Sequence, residues 1–240
     1  REREREREMK RGREESAHHF VDITDNGKHL REKSKNVQVK LWWACLHGKL
    51  AEVKELITKD VDVNIKESGY PGRTLLQCAA ESGNIDIVKV LIQNGADVNA
   101  VDENKQSALH HAAECGDVEL AKVLFENGAD VNAIDEDSLS ALHVAAREGH
   151  VDFAQVLIQN SADVNAVNNF KESALHCATR DGHIDIAKVL LENGAHVNAV
   201  NVDQKTPLHL AAHDENRIIY GRVDIVKVLI QNGADVNAVD

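Results

Sequence analysis

The chain copies itself. Residues 85–102 read IDIVKVLIQNGADVNAVD and residues 223–240 read VDIVKVLIQNGADVNAVD, so seventeen of eighteen positions agree. Between them the pattern returns at a fixed step. Leu76, Leu109, Leu142, Leu175 and Leu208 are spaced by 33, and Asn99, Asn132, Asn165 and Asn198 keep the same step. Such a period means a stack of small units rather than one globular core, because each unit is too small to bury its apolar face alone. Four full units occupy 72–104, 105–137, 138–170 and 171–203. A last unit runs from 204 to 240 and carries extra residues within 213–220 (HDENRIIY). A first, less regular unit occupies about 38–71, with Leu41 in the place of Leu76.

One unit can be read from its residues. Thr or Ser at 74, 107, 140, 173 and 206 is a helix N-cap, accepting an N–H that the first turn leaves unpaired. Pro207 falls in the first helical turn, where its missing N–H costs nothing. Leu109, Ala112 and Ala113 lie at i, i+3 and i+4, a narrow face of small side chains that lets helices approach closely. Gly116 ends that helix. A second helix is expected over 118–126 with Leu120, Val123 and Leu124 on one face, stopped by Asn127-Gly128. Residues 129–133 are expected to be extended and to lead into a polar turn.

The opening Thr206-Pro207-Leu208-His209-Leu210-Ala211-Ala212 has the variants TLLQCAA, SALHHAA, SALHVAA and SALHCAT in the other units, and the units end on G-A-D-V-N-A or close to it. With the 33-residue step these motifs resemble the ankyrin repeat, over about 200 of the 240 residues. The resemblance implies an all-α solenoid of about six stacked helix-turn-helix/β-hairpin repeats. It implies a non-catalytic function: a scaffold or adaptor that binds a partner protein through its concave face and hairpin turns. It also implies that His110, His143, His176 and His209 bond backbone and hydroxyl groups near the turns. Asn99, Asn132 and Asn165 match positions that an asparaginyl hydroxylase modifies in such proteins. The glycine usual at the hairpin turn is replaced by Lys105, Ser138, Lys171 and Gln204, for which type I turns are expected.

Charge divides the chain. Residues 1–39 hold 11 Lys/Arg and 9 Asp/Glu, and residues 40–240 hold 17 and 31, which makes +2 and −14. An acidic body repels phosphate backbones, so nucleic acid is not an expected partner. No apolar run approaches 18 residues, and no secretory signal precedes the repeats, so a membrane is not expected either and a cytoplasmic location is. Residues 1–13, with RERERERE and a single Met9, read as a solvated low-complexity tail; the sharper alternative is a nuclear or acidic-partner arm around Lys10-Arg11-Gly12-Arg13. Residues 14–37 are expected to form a short capping helix over the first repeat. The last helix keeps the internal apolar pattern at Val226, Leu229 and Ile230, where a terminal repeat usually turns polar. A longer array is therefore expected. The alternative function follows from it: a targeting segment of a larger toxin, effector, enzyme or membrane protein.

Catalytic signatures are missing. The sequence holds no phosphate-binding G-x-x-x-x-G-K-S/T, no G-x-G-x-x-G, no H-E-x-x-H and no G-x-S-x-G, so no enzyme activity and no cofactor are expected. The histidine ladder is not a metal site, since packed helices lie about 8–10 Å apart and zinc needs ligand nitrogens at about 2 Å. His111, Cys115 and Cys78 are a conceivable three-ligand set without a fourth; the alternative is two buried thiols and a partly exposed imidazole. Cys78 and Cys177 are three units apart, roughly 30 Å at 8–10 Å per repeat, too far for a disulfide.

What differs between units is confined to the hairpin turns and to the positions after the Ala-Ala pair. Turn positions Tyr70, Leu139, Phe170 and Val202 put apolar groups on polar loops. The second set contributes Glu81, Glu114, Arg147, Arg180, Asp181 and His213. In the extra segment, Ile218, Ile219 and Tyr220 add bulk that a repeat does not need. These are the candidate partner-binding residues. Arg and Tyr are favoured interface anchors, and the acidity of the face points to a partner with a basic patch. The oligomeric state is not legible.

Overall fold

The computed structural model describes residues 37–57, 61–67, 71–212 and 222–238. The charged tail, nearly all of the expected capping helix, Tyr70 and the 213–220 segment lie outside the described residues.

Twelve helices follow one another among the described residues: α1 (Val37–Leu46), α2 (Leu50–Ile57), α3 (Leu75–Glu81), α4 (Ile85–Gln93), α5 (Ala108–Cys115), α6 (Val118–Glu126), α7 (Ala141–Glu148), α8 (Val151–Gln159), α9 (Ala174–Asp181), α10 (Ile184–Glu192), α11 (Pro207–Ala212) and α12 (Arg222–Gln231). They pair in order. Odd-numbered helices stack on odd-numbered ones, even on even, giving two layers joined within each unit. The core is a single apolar band running the length of the stack.

The odd helices are thin because their contacts are alanines. Ala79, Ala80, Ala112, Ala113, Ala145 and Ala146 have no accessible surface, which lets successive backbones close up. In α9 the second alanine is Thr179, and its hydroxyl donates to the carbonyls of Leu175 (2.9 Å) and His176 (3.0 Å), so the buried oxygen is paired. The even helices bury one face, such as Leu120, Ala121, Val123 and Leu124 in α6, whose bounds are those expected.

Gly116 and Gly149 end α5 and α7 in the left-handed region, with φ +68° and +86°. A Cβ there would sit 2.6 Å from the His150 ring and 2.7 Å from the His183 ring. Those imidazoles fold back from the next unit and bond the carbonyls of Glu114 (3.1 Å) and Arg147 (2.9 Å).

Two expectations are corrected. Residues 129–133 are not extended: Ala133 N–H donates to Asp130 C=O at 3.3 Å, and Asp130 Oδ1 accepts from Asn132 N–H at 2.9 Å, closing a turn. The hairpin turns do not simply accommodate their residues. Lys105, Ser138, Lys171 and Gln204 have φ between +56° and +60°, the region where a Cβ is strained and glycine is favoured. Asp102, Asp135, Asn168 and Asn201 hold these turns. The Oδ1 of each accepts two backbone N–H groups at 2.8–3.0 Å, for example from Asp137 and Leu139 on Asp135.

Candidate partner-binding face

Two side-chain ladders lock each unit to the next. The first is built from the motif histidines. Ser107 N–H donates to His110 Nδ1 at 3.1 Å, which makes Nδ1 the acceptor and leaves the proton on Nε2. Nε2 then donates to Leu139 C=O in the following unit at 3.0 Å. His143 reaches Glu172 C=O (3.1 Å), His176 reaches Lys205 C=O (3.3 Å) and His209 reaches Ala238 C=O (3.0 Å) in the same way. In the second unit Gln77 replaces the imidazole. Its Oε1 accepts Thr74 N–H at 2.6 Å and its Nε2 donates to Gln106 C=O.

The second ladder uses the V-N-A asparagines. Asn99 Nδ2 donates to Gly128 C=O at 2.9 Å, and its Oδ1 accepts Asp130 N–H at 2.8 Å. Asn64, Asn132, Asn165 and Asn198 repeat the pair of bonds. The hairpin tips form a third rail through backbone bonds, from Glu103 N–H to Pro71 C=O (2.8 Å) onward to Val202 N–H and Phe170 C=O (2.9 Å), to which Asn169 adds a side-chain bond to Glu136 C=O (3.1 Å). The framework therefore uses its own polar groups on itself.

Burial tunes the ladder. It pushes the His110 imidazole down to about 4 and lowers His143 and His176 too, so all three are neutral near pH 7. Burial raises the Asp135 carboxyl to about 6 and raises Asp102 as well, against the N–H groups that each accepts. The thiols of Cys45 and Cys177 are pushed up to about 12 and that of Cys78 well up, again by burial. None of the four cysteines forms a disulfide.

The expected site residues fall into two groups. Glu81, Glu114, Arg147 and Arg180 occupy one register at the ends of α3, α5, α7 and α9, with Asp181 beside Arg180; all are half-buried. Salt bridges cross this line. Arg147 Nε meets Glu148 at 3.1 Å, Arg180 meets the buried Glu172, and Glu81 is bound by Arg73, which also holds Glu67 at 3.1 Å. Phe170 (43% exposed) and Val202 (46%) lie together on adjacent hairpin tips, while Leu139 is half-buried. Tyr70, His213, Ile218, Ile219 and Tyr220 lie outside the described residues.

Arg73 escaped sequence reasoning, and so did the pairing of Glu67 and Glu172, which fall in the variable turns 67–71 and 168–172, because nothing in the repeat pattern says which hairpin charges turn back onto the helices. A row of exposed β-branched side chains, Ile134, Val167 and Val200, escaped it too. Their 33-residue spacing was the available signal. One pairing is reversed: Cys115 is the exposed thiol and His111 the buried imidazole. Residue 115 ends α5 facing outward, one turn beyond the helix-packed His111. Among the described residues no three His, Cys, Asp or Glu side chains are placed to hold a metal ion. No described helix is long and apolar enough to cross a membrane.

Comparison with known proteins agrees with this architecture. A family profile of ankyrin repeats (three copies) matches residues 18–102, 41–135, 98–168 and 142–240. Three similar proteins are fungal palmitoyltransferases. Palmitoyltransferase AKR1 of Lachancea kluyveri is 37% identical over 93 residues, 37% of this chain and 12% of that protein. That of Kluyveromyces lactis is 39% identical over 70 residues, 29% of this chain and 9% of its own length. That of Schizosaccharomyces pombe is 42% identical over 69 residues, 28% and 10%. The chain thus spans about a tenth of the relatives it matches. The profile covers most of the sequence, and the stacked helix pairs carry the motif residues in their expected places: this chain belongs to the ankyrin repeat family, whose repeats bind protein partners.

Proposed function

We propose that this chain is a non-catalytic scaffold or adaptor that binds a partner protein across the odd-helix ends and the hairpin tips. One observation carries the reading. The repeated polar groups are consumed by bonds between units, while Glu81, Glu114, Arg147, Arg180 and the tip residues Phe170 and Val202 change from unit to unit and reach solvent. A constant frame with variable surface positions is the layout of a recognition surface rather than of a reaction centre. The acidic excess favours a partner with a basic patch over nucleic acid or a membrane surface. A reducing, cytoplasmic setting suits four cysteines that form no disulfide.

The test is affinity capture with the wild-type chain and with a variant carrying Arg147→Ala, Phe170→Ala and Val202→Ala, both shown to fold by circular dichroism. A protein held by the wild type and lost by the variant is the expected result. Equal capture by both places binding elsewhere on the chain.

A second reading has its own support. The matched palmitoyltransferases carry this similarity in about a tenth of their length. On that reading the repeats are a recognition segment serving an activity outside this chain. Fusing the chain to an inert reporter in cells distinguishes the two: relocation of the reporter to one compartment favours a targeting segment, and a diffuse reporter favours a free adaptor.

A further inference from the structure

One row of the hairpin register keeps its chemistry where the tips vary. At positions 66, 101, 134, 167 and 200 the units carry Lys, Val, Ile, Val and Val. Ile134, Val167 and Val200 are 51%, 49% and 44% exposed, and Val101 before them is half-buried. Single exposed apolar residues are ordinary. Three β-branched ones in consecutive units form a stripe, and the exposed Lys66 shows that this backbone position accepts a charge.

Backbone bonds fix the spacing of the stripe. Within a hairpin, Asp135 N–H donates to Leu139 C=O (3.0 Å) and Asn168 N–H to Glu172 C=O (3.0 Å). Between hairpins, Glu136 N–H donates to Asn104 C=O (2.9 Å), Asn169 N–H to Asp137 C=O (3.0 Å) and Val202 N–H to Phe170 C=O (2.9 Å). Each unit is therefore two hydrogen-bonded chain widths across, about 9.4–9.8 Å. That agrees with the about 8–10 Å between packed helices.

A segment lying along the stripe must present the same face at that step. A β-strand returns its face every two residues, about 6.6–6.8 Å, and needs backbone partners, whereas the tip groups named above already pair with one another. An α-helix returns its face after seven residues, about 10.5 Å, and drifts by about 1–2 Å over three units. A polyproline II helix returns it every three residues, about 9.3 Å, stays in phase over the same distance, and asks for no backbone bonds. Resting on the partner-binding reading, we propose that the Ile134–Val167–Val200 stripe receives a polyproline II segment of the partner with an apolar side chain at every third residue. The β-branched groups are stiff about χ1, so covering them costs little side-chain freedom. The other two positions of each triplet face away and can hold the positive charge that suits an acidic chain.

The probe is the peptide acetyl-Lys-Pro-Leu-Pro-Pro-Leu-Pro-Pro-Leu-Pro-Lys-amide, titrated into the full chain while side-chain methyl resonances are followed by NMR. The control has the same composition with the leucines two apart, acetyl-Lys-Pro-Pro-Leu-Pro-Leu-Pro-Leu-Pro-Pro-Lys-amide. The expected result is a saturable shift at the methyls of Ile134, Val167 and Val200 with the first peptide, and affinity lower by roughly tenfold or more for the second. Val167→Asp changes an exposed position, so Tm should stay within about 2 °C of wild type while affinity for the first peptide falls by a similar factor. Equal affinity for the two peptides, saturable shifts confined to other methyls, or no saturation at millimolar peptide overturns the assignment. The comparison of peptides uses the wild-type chain, so it decides the question even if Val167→Asp unfolds. A chain that still captures a partner through Arg147, Phe170 and Val202 but ignores the spacing of the leucines keeps the adaptor reading and loses this one.

Discussion

The α3–α5 and α7–α9 interfaces are built on the same backbone and differ in how completely they satisfy themselves. At α7–α9 the imidazole of His143 accepts from Ser140 and donates to Glu172, and Val144 beside it is apolar. At α3–α5 the same two bonds are made by Gln77, to Thr74 and Gln106, and the adjacent register places a thiol at Cys78 and an unpaired imidazole at His111. The amide and the imidazole are therefore interchangeable as brackets between units. An acceptor and a donor at the right separation are enough, and a titratable ring is not required. The next position is different: it is where one interface departs from the most stable choice.

Removing the bracket gives the largest expected effect. His143→Ala strands Ser140 N–H and Glu172 C=O and leaves a cavity, and should lower stability by about 2–4 kcal/mol in urea unfolding. A loss below about 0.5 kcal/mol would show that the stack does not depend on this rung.

Acid comes next and separates the two brackets. Burial holds His110 at about 4, below the ordinary histidine value, so the unfolded chain takes up a proton that the folded chain refuses. That stability is fully present above about 6.5 and is lost as pH falls toward 4, by roughly 2 kcal/mol for one such ring between pH 7 and pH 5. Asp135, raised to about 6, acts in the opposite sense, losing stability as pH rises from the ordinary carboxylate range to about 6. Three lowered histidines set against two raised aspartates should leave a net acid loss. His110→Gln copies the Gln77 bracket, so its urea midpoint should match wild type at pH 7 and exceed it at pH 5. An unchanged pH dependence would assign the acid limb to other groups.

A smaller gain is expected at Ser161. It occupies the register of Gly95, Gly128, Gly194 and Gly233 and has φ +71°. Ser161→Gly should stabilise by about 1 kcal/mol, read as a shift in the urea midpoint. The smallest effect belongs to the variable face: Arg147→Ala or Phe170→Ala should change stability by no more than about 0.5 kcal/mol, because the half-buried and exposed side chains they remove do not bracket units. A larger loss would make these residues framework.

The helix starts were legible because an N-cap and its partner three residues on are local. Thr74 with Gln77 and Ser140 with His143 need no knowledge of the rest of the chain. The alanine face was legible for the same reason. The turns at 129–133 were misread because the Asp130 bond that closes them competes with an extended path, and composition does not say which prevails. The hairpin conformation was misread because the stack holds Lys105 and Lys171 in a region that local preference disfavours. Half of the candidate face was legible as variation against a constant frame. Which charges pair across it was not, since Arg73 and Arg180 are drawn to Glu81 and Glu172 by proximity that only the folded hairpins create.

By itself the sequence determined the unit, its length, its two helices and the register in which they repeat, because caps, glycines and apolar spacing act over a few residues. The tertiary structure alone decided which side chain reaches into the next unit, which residues sit at positive φ, and that His111 is buried without a partner while Cys115 faces outward. Those outcomes depend on groups about thirty residues apart meeting across a packed interface, where desolvation and geometry, rather than local preference, set the energy.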